Sequence, residues 1–316
     1  MARKKKECDA FRTTIGGQAL IEGILMRGPT KQAVVVRTAN GLVRKVEETK
    51  LLTQKHKILG KPFIRGPVGF IQSMLMGVKA VTYSAGLLPE EEQEEPTKFD
   101  KWIEKKLGSE KAEKALIYFA VALGIILSVG LFILLPTFLV GFIPGMESRL
   151  LLRSFLEGMV KLFIFFLYLW GISKMKDIAR LFQYHGAEHK AIFCYEKGLP
   201  LTVENVRKQS RLHPRCGTSF LFVVVVLGIF LGFFIQTENS FARIGLRLLL
   251  LPVLVSIAYE INRWAGGHDN CFSSFLTAPG KALQRLTTGE PDDSMMECAI
   301  EALELVIPEK EGLDEW

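Results

Sequence analysis

Ala115 to Met146 reads ALIYFAVALGIILSVGLFILLPTFLVGFIPGM, without one charged side chain. A helix needs about 20 such residues to cross a bilayer, because the hydrocarbon core is about 30 Å thick and each residue adds 1.5 Å. Gly217 to Thr237 is a second charge-free run. Yet the chain of 316 residues is 23% charged against 49% hydrophobic, so apolar and charged residues are segregated along it. That pattern predicts an integral membrane protein.

Two further segments read as spans with polar content. Leu150 to Ser173 contains Arg153, Glu157 and Lys161 at i, i+4 and i+8, one stripe of a helix that must face protein or water, not lipid. Ile244 to Ile261 has Arg247 near one end and Glu260 near the other, where long side chains reach the interface. Short links at Gly141–Arg149 and Glu238–Arg243 join the segments in pairs. The expected fold class is therefore a mainly α-helical integral membrane protein of about four transmembrane helices in two hairpins, with a small N-terminal cytoplasmic α+β region.

Loop charge sets the orientation. The first 65 residues hold fifteen Lys/Arg against five acidic residues, and Lys174–Cys216 holds nine more Lys/Arg. The positive-inside rule places both termini and the central loop in the cytoplasm, with the plasma membrane as location. The net charge of +7 then reads as contact with the bilayer and its anionic headgroups. Nucleic acid is not an expected partner, since the basic residues are not interleaved with stacking aromatics. No apolar segment follows the basic Met1–Glu7, so no cleavable signal peptide is expected. Cys8, Cys194, Cys216, Cys271 and Cys298 are scattered and odd in number, which does not read as a disulfide framework.

The domain organisation follows. Residues 1–62 form a cytoplasmic domain with a β-hairpin, in which Ala33–Arg37 and Leu42–Val46 flank the turn signal Asn40-Gly41. Before it, Gly16–Pro29 is glycine-rich and suggests tight turns or close approach of the backbone to another group, with Glu22 and Arg27 as its polar residues of interest. Residues 63–89 are an apolar interfacial or re-entrant helix; 90–114 are an acidic linker and charged helix. Residues 115–173 and 217–262 are the hairpins, separated by the loop 174–216. Residues 263–316 are a helical tail, where Met295, Ala299, Leu303 and Val306 recur at helical spacing as a packing face.

The chemistry concentrates in the central loop. His185-Gly-Ala-Glu188-His189 is H-x-x-E-H, the inverted zincin pattern. Residues four apart share a helix face, so His185 and His189 can offer two imidazoles to one ion, with Glu188 placed as general base. His213 and then Cys216, the latter beside Arg215, are the choices for a further zinc-type ligand. Glu260 and His268-Asp269 are more distant candidates. The cofactor this set points to is zinc or a similar divalent metal.

Four motifs carry a resemblance: Gly16–Pro29, Tyr184–Lys190, His213–Ser219, and Gln284–Thr288 with Glu290–Ser294. They resemble the YqhQ-like family, bacterial multi-pass membrane proteins of unknown function described as predicted metal-dependent enzymes. The resemblance covers nearly the whole chain and implies a membrane location and metal binding, without a substrate. The function expected is a membrane metallohydrolase at the cytoplasmic face, with peptides or membrane proteins as the favoured substrates and lipids or their headgroups left open. A non-enzymatic scaffold with a structural metal and a small oligomeric transporter are the alternatives.

Overall fold

A computed structural model describes residues 11–49, 51–88, 105–106, 108–146, 148–268 and 270–316. The fold is mostly helical, with one small antiparallel sheet near the N-terminus. The described residues fall into two compact units, one drawn from Met1–Pro89, Leu169–Val226 and Pro252–Trp316, the other from Glu90–Tyr168 and Leu227–Leu251. Segments 1–62, 174–216 and 263–316, far apart in sequence, thus meet in the first unit.

That unit is built on a four-stranded meander: β1 (Gly16–Leu20), β2 (Gly23–Arg27), β3 (Lys31–Thr38) and β4 (Gly41–Glu48). The β3–β4 hairpin is the one expected, with Thr38 opposite Gly41, whose φ of +108° suits glycine alone. Gly16–Pro29 is not a run of turns but the β1–β2 hairpin, with Leu20 opposite Gly23. Its short, glycine-broken strands hide the two-residue alternation. Glu22 makes the tight turn at φ +51° and is held there by an ion pair with Arg180 and a 3.2 Å bond from the Tyr184 hydroxyl.

Alternation along the strands loads both faces of the sheet. Ile24, Met26, Ala33 and Val35 point to one side, where they pack on α5 (Lys176–Glu196) and α10 (Asp293–Glu304). Leu20, Leu25, Val34 and Val36 point to the other, against Ala80, Tyr83 and Leu87 in and just after α1 (Arg65–Ala85). Met295, Ala299, Leu303 and Val306 are fully buried in the first cluster, as their spacing predicts. Each large apolar side chain buried there contributes about 1.5–3 kcal/mol. Asp292 caps α10 by accepting from Met295 N–H at 2.9 Å. Gly198, at φ +65°, ends the chain's run through α5.

The expected helix at 63–89 is present as α1, and Phe63, Ile64, Ile71 and Leu75 in and beside it are exposed. The acidic linker expected at Glu90–Pro96 lies outside the described residues, as does most of the charged helix expected to follow it. Next come α2 (Ser109–Val129) and α3 (Leu135–Gly141), joined by a wider i→i+5 turn over Gly130–Leu134. This turn precedes Pro136, which cannot donate to the helical ladder. The remaining helices are α4 (Leu150–Ile172), α6 (Val203–Arg207), α7 (Gly217–Gly232), α8 (Ser240–Gly267) and α9 (Cys271–Thr287).

Two helical stretches are long and apolar enough to cross a membrane, Ala115–Gly141 and Ser240–Gly267. The two further expected spans do not meet that measure among the described residues. The third expected span is the 16-residue α7, which at 1.5 Å per residue reaches only about 24 Å. α4 is 23 residues long but carries three ionisable groups.

A candidate metal-binding cavity

α5 presents the H-x-x-E-H motif to a cavity of about 450 Å³ within the first unit. It begins afresh at Lys176, because Met175 is extended (ψ 131°) and interrupts the helical path from α4. The motif therefore does not continue α4, and the chain from Lys208 to Cys216 returns beside it. His185 Nε2 lies 3.2 Å from Cys216 Sγ. One ligand atom each from His185, His189 and Cys216 falls within 4.8 Å of the others.

Both imidazoles are oriented by backbone carbonyls. His185 Nδ1 is 2.9 Å from Thr287 O, and His189 Nδ1 is 2.6 Å from Arg211 O. A carbonyl only accepts, so each Nδ1 carries a proton, which leaves Nε2 as the ligand atom each ring could offer. This is the arrangement that commonly positions zinc-ligating histidines. Donors around a tetrahedral zinc lie roughly 3.3–3.6 Å apart, given Zn–N near 2.0 Å and Zn–S near 2.3 Å. The His185–Cys216 pair is at that spacing, and the full set, spread over up to 4.8 Å, would close around such an ion only with a side-chain shift of about 1 Å.

His213, the first choice for the added ligand, is close but occupied. Its ring centroid is 5.5 Å from that of His189. Its Nδ1 accepts from Arg215 N–H at 3.3 Å, and its Nε2 faces Glu196 at 3.5 Å. Burial above all pushes its pKa down to about 4, so the ring is neutral and donates to Glu196. Burial opposes the Glu196 charge, but His213, Arg215 and the Thr13 N–H outweigh it and hold that carboxyl below its usual range. Arg215 is ion-paired with Glu196 and sits 5.7 Å from the Trp316 ring.

Glu188 lines the same cavity. One of its oxygens accepts from Gly17 N–H at 2.8 Å; the other has no partner among the described residues. Burial pushes this carboxyl above the usual range, opposed by His185 and the Gly17 N–H. Gly17 must be glycine for β1 to come this close, since a Cβ there would lie 2.5 Å from Leu25 O and 3.1 Å from Glu188 Cδ.

Other candidates lie elsewhere. Glu260 forms a two-point pair with Arg65 (2.9 and 2.5 Å) and accepts from Phe63 N–H. His268 stacks on Trp264, with ring centroids 4.7 Å apart, and Asp269 lies outside the described residues. Glu157 belongs to the second unit, where Arg153, Arg243 and Arg247 all pair with it. Glu22 pairs with Arg180 rather than Arg27. Arg27 does line the cavity.

Sequence reasoning passed over Gln284. Fully buried, it donates to His213 O and accepts from His213 N–H, both at 2.7 Å, and so pins the strand that carries Cys216. Its position in the Gln284–Thr288 motif was visible, but a glutamine announces no chemistry.

A family model described as a protein of unknown function, DUF1385, matches residues 61–309. The chain is 34% identical over 296 residues to the uncharacterized protein YqhQ of Bacillus subtilis (strain 168), covering 91% of this chain and 90% of that one. No solved structure matches. With most of its length matched by that model and aligned to that relative, the chain belongs to the DUF1385 family.

Proposed function

We propose that this protein is a membrane-bound, zinc-type metallohydrolase whose site faces the cytoplasm. The observation that carries the reading is the convergence of one ligand atom each from His185, His189 and Cys216, with both Nδ1 atoms tied to carbonyls, in a cavity that Glu188 also lines. When bound, the ion supplies Lewis acidity towards water and the substrate oxygen. Glu188 takes the proton from water as its oxygen adds to a carbonyl or phosphoryl centre. The bond to the leaving group then breaks, and Glu188 returns that proton to the departing nitrogen or oxygen.

The membrane reading rests on Ala115–Gly141 and Ser240–Gly267. We extend it to four segments in two hairpins by counting α4 and the apolar α7, with both termini cytoplasmic by the charge of their flanks. Anionic headgroups are the partners this charge selects, and an oligomer is compatible with it.

The test is Glu188→Gln in the full-length, detergent-purified protein, assayed on a panel of chromogenic esters, phosphoesters and peptides. Metal content by plasma mass spectrometry is expected to stay at the wild-type level while turnover falls roughly 10²–10⁴-fold. Wild-type turnover in the variant would overturn the assignment.

A further inference from the structure

Seven arginines of the first unit have a carboxylate partner: Arg37 with Glu297, Arg44 with Glu301, Arg65 with Glu260, Arg180 with Glu22, Arg207 with Asp293, Arg211 with Glu290 and Arg215 with Glu196. Arg27 differs. At the end of β2, facing the cavity, its one bond among the described residues is from Nη1 to Ser73 Oγ at 3.2 Å. Burial works against its charge. A partly desolvated guanidinium without a counter-ion is costly unless a ligand brings the negative charge.

The rest of the cavity indicates what else that ligand carries. Leu25, Phe70, Met74 and Phe220 line it, and the Phe70 and Phe220 rings are 5.9 Å apart. Phe70 and Met74 belong to α1, which also carries exposed Ile71 and Leu75. An apolar row of this kind, with Phe63 and Ile64 beside it, suits burial at a bilayer interface. The same helix therefore supplies a wall of the cavity and an exposed apolar face.

We propose that Arg27 is the anion-recognition residue of this site, and that the molecule it selects is a membrane amphiphile bearing a phosphate, with its apolar chain along Phe70, Met74 and Phe220. This rests on the reading of the cavity as the place where substrate meets the metal. It narrows the substrate class from hydrolysable bonds in general to those of an anionic lipid.

The experiment measures binding rather than turnover, so that it is separable from the hydrolase reading. Full-length protein in detergent is titrated with short-chain phosphatidic acid, with the diacylglycerol of the same chains, with inorganic phosphate and with an apolar acidic peptide. Wild type, Arg27→Gln and Arg27→Lys are compared, with zinc content and thermal unfolding measured on each. The expected result is tightest binding of phosphatidic acid, a loss of about 10- to 100-fold in Arg27→Gln, partial recovery in Arg27→Lys, and unchanged zinc and melting. Equal affinity of wild type and Arg27→Gln, or preference for inorganic phosphate or the peptide, would overturn the proposal. A zinc-free wild type that still binds phosphatidic acid through Arg27 would sink the hydrolase and leave the lipid site standing.

Discussion

Glu157→Gln tests the polar centre of the second unit. Glu157 Oε1 is 3.2 Å from Arg153 Nε, while Oε2 meets Arg243 at 3.3 Å and also pairs with Arg247. The side chains of Arg153, Glu157 and Arg243 are 2%, 1% and 0% exposed. Glutamine keeps the shape and one acceptor but removes the one carboxylate that, among the described residues, these three guanidinium groups share. Breaking a buried pair from one side typically costs about 3–5 kcal/mol, because the partner's charge stays buried. For a chain of this size each kcal/mol moves the midpoint by about 2 °C, so Tm is expected to fall roughly 6–10 °C. Thermal unfolding in detergent by intrinsic fluorescence reads this directly. Adding Arg247→Gln to Glu157→Gln relieves like-charge repulsion and should recover part of the loss, a coupling that independent sites would not show. A midpoint within about 2 °C of wild type for Glu157→Gln would refute the argument that this carboxylate holds the arginines together.

Two other outcomes follow from the cavity. A Cβ on Gly186 would run into the Gly289 carbonyl oxygen, so Gly186→Ala should destabilise the protein by about 1–3 kcal/mol and lower zinc affinity, read by unfolding and zinc titration. The His213 pKa of about 4 means that the unfolded chain takes a proton near pH 6.5 that the folded chain refuses until about pH 4. His213 therefore costs stability as pH falls through that window, by about 3 kcal/mol in all; His213→Gln should flatten the slope of stability against pH between 6.5 and 4.

What could be read in the sequence follows periodicity. The Ala33–Arg37 and Leu42–Val46 strands flank a turn dipeptide, so local pattern reports their hairpin, and Met295, Ala299 and Leu303 recur every four residues, so it reports their burial. The β1–β2 hairpin stayed hidden because its strands are five residues each and open on glycines needed for close approach. The site was half legible. His185, Glu188 and His189 lie on one helical turn, where spacing fixes their geometry. Choosing between His213 and Cys216 depends on Glu196, Gln284 and Arg215, contacts across the fold that no spacing reports. Hydropathy marks the apolar runs, but the length of the helix within each run, 16 residues for α7, is not written in it.

The central claim is that His185, His189 and Cys216 hold a metal ion. Plasma mass spectrometry of the detergent-purified wild type beside the His185→Ala/His189→Ala double variant tests it most directly. The account predicts about one zinc per chain in the wild type, lost in the variant while both remain folded. A folded wild type that holds no metal and takes none up would contradict it.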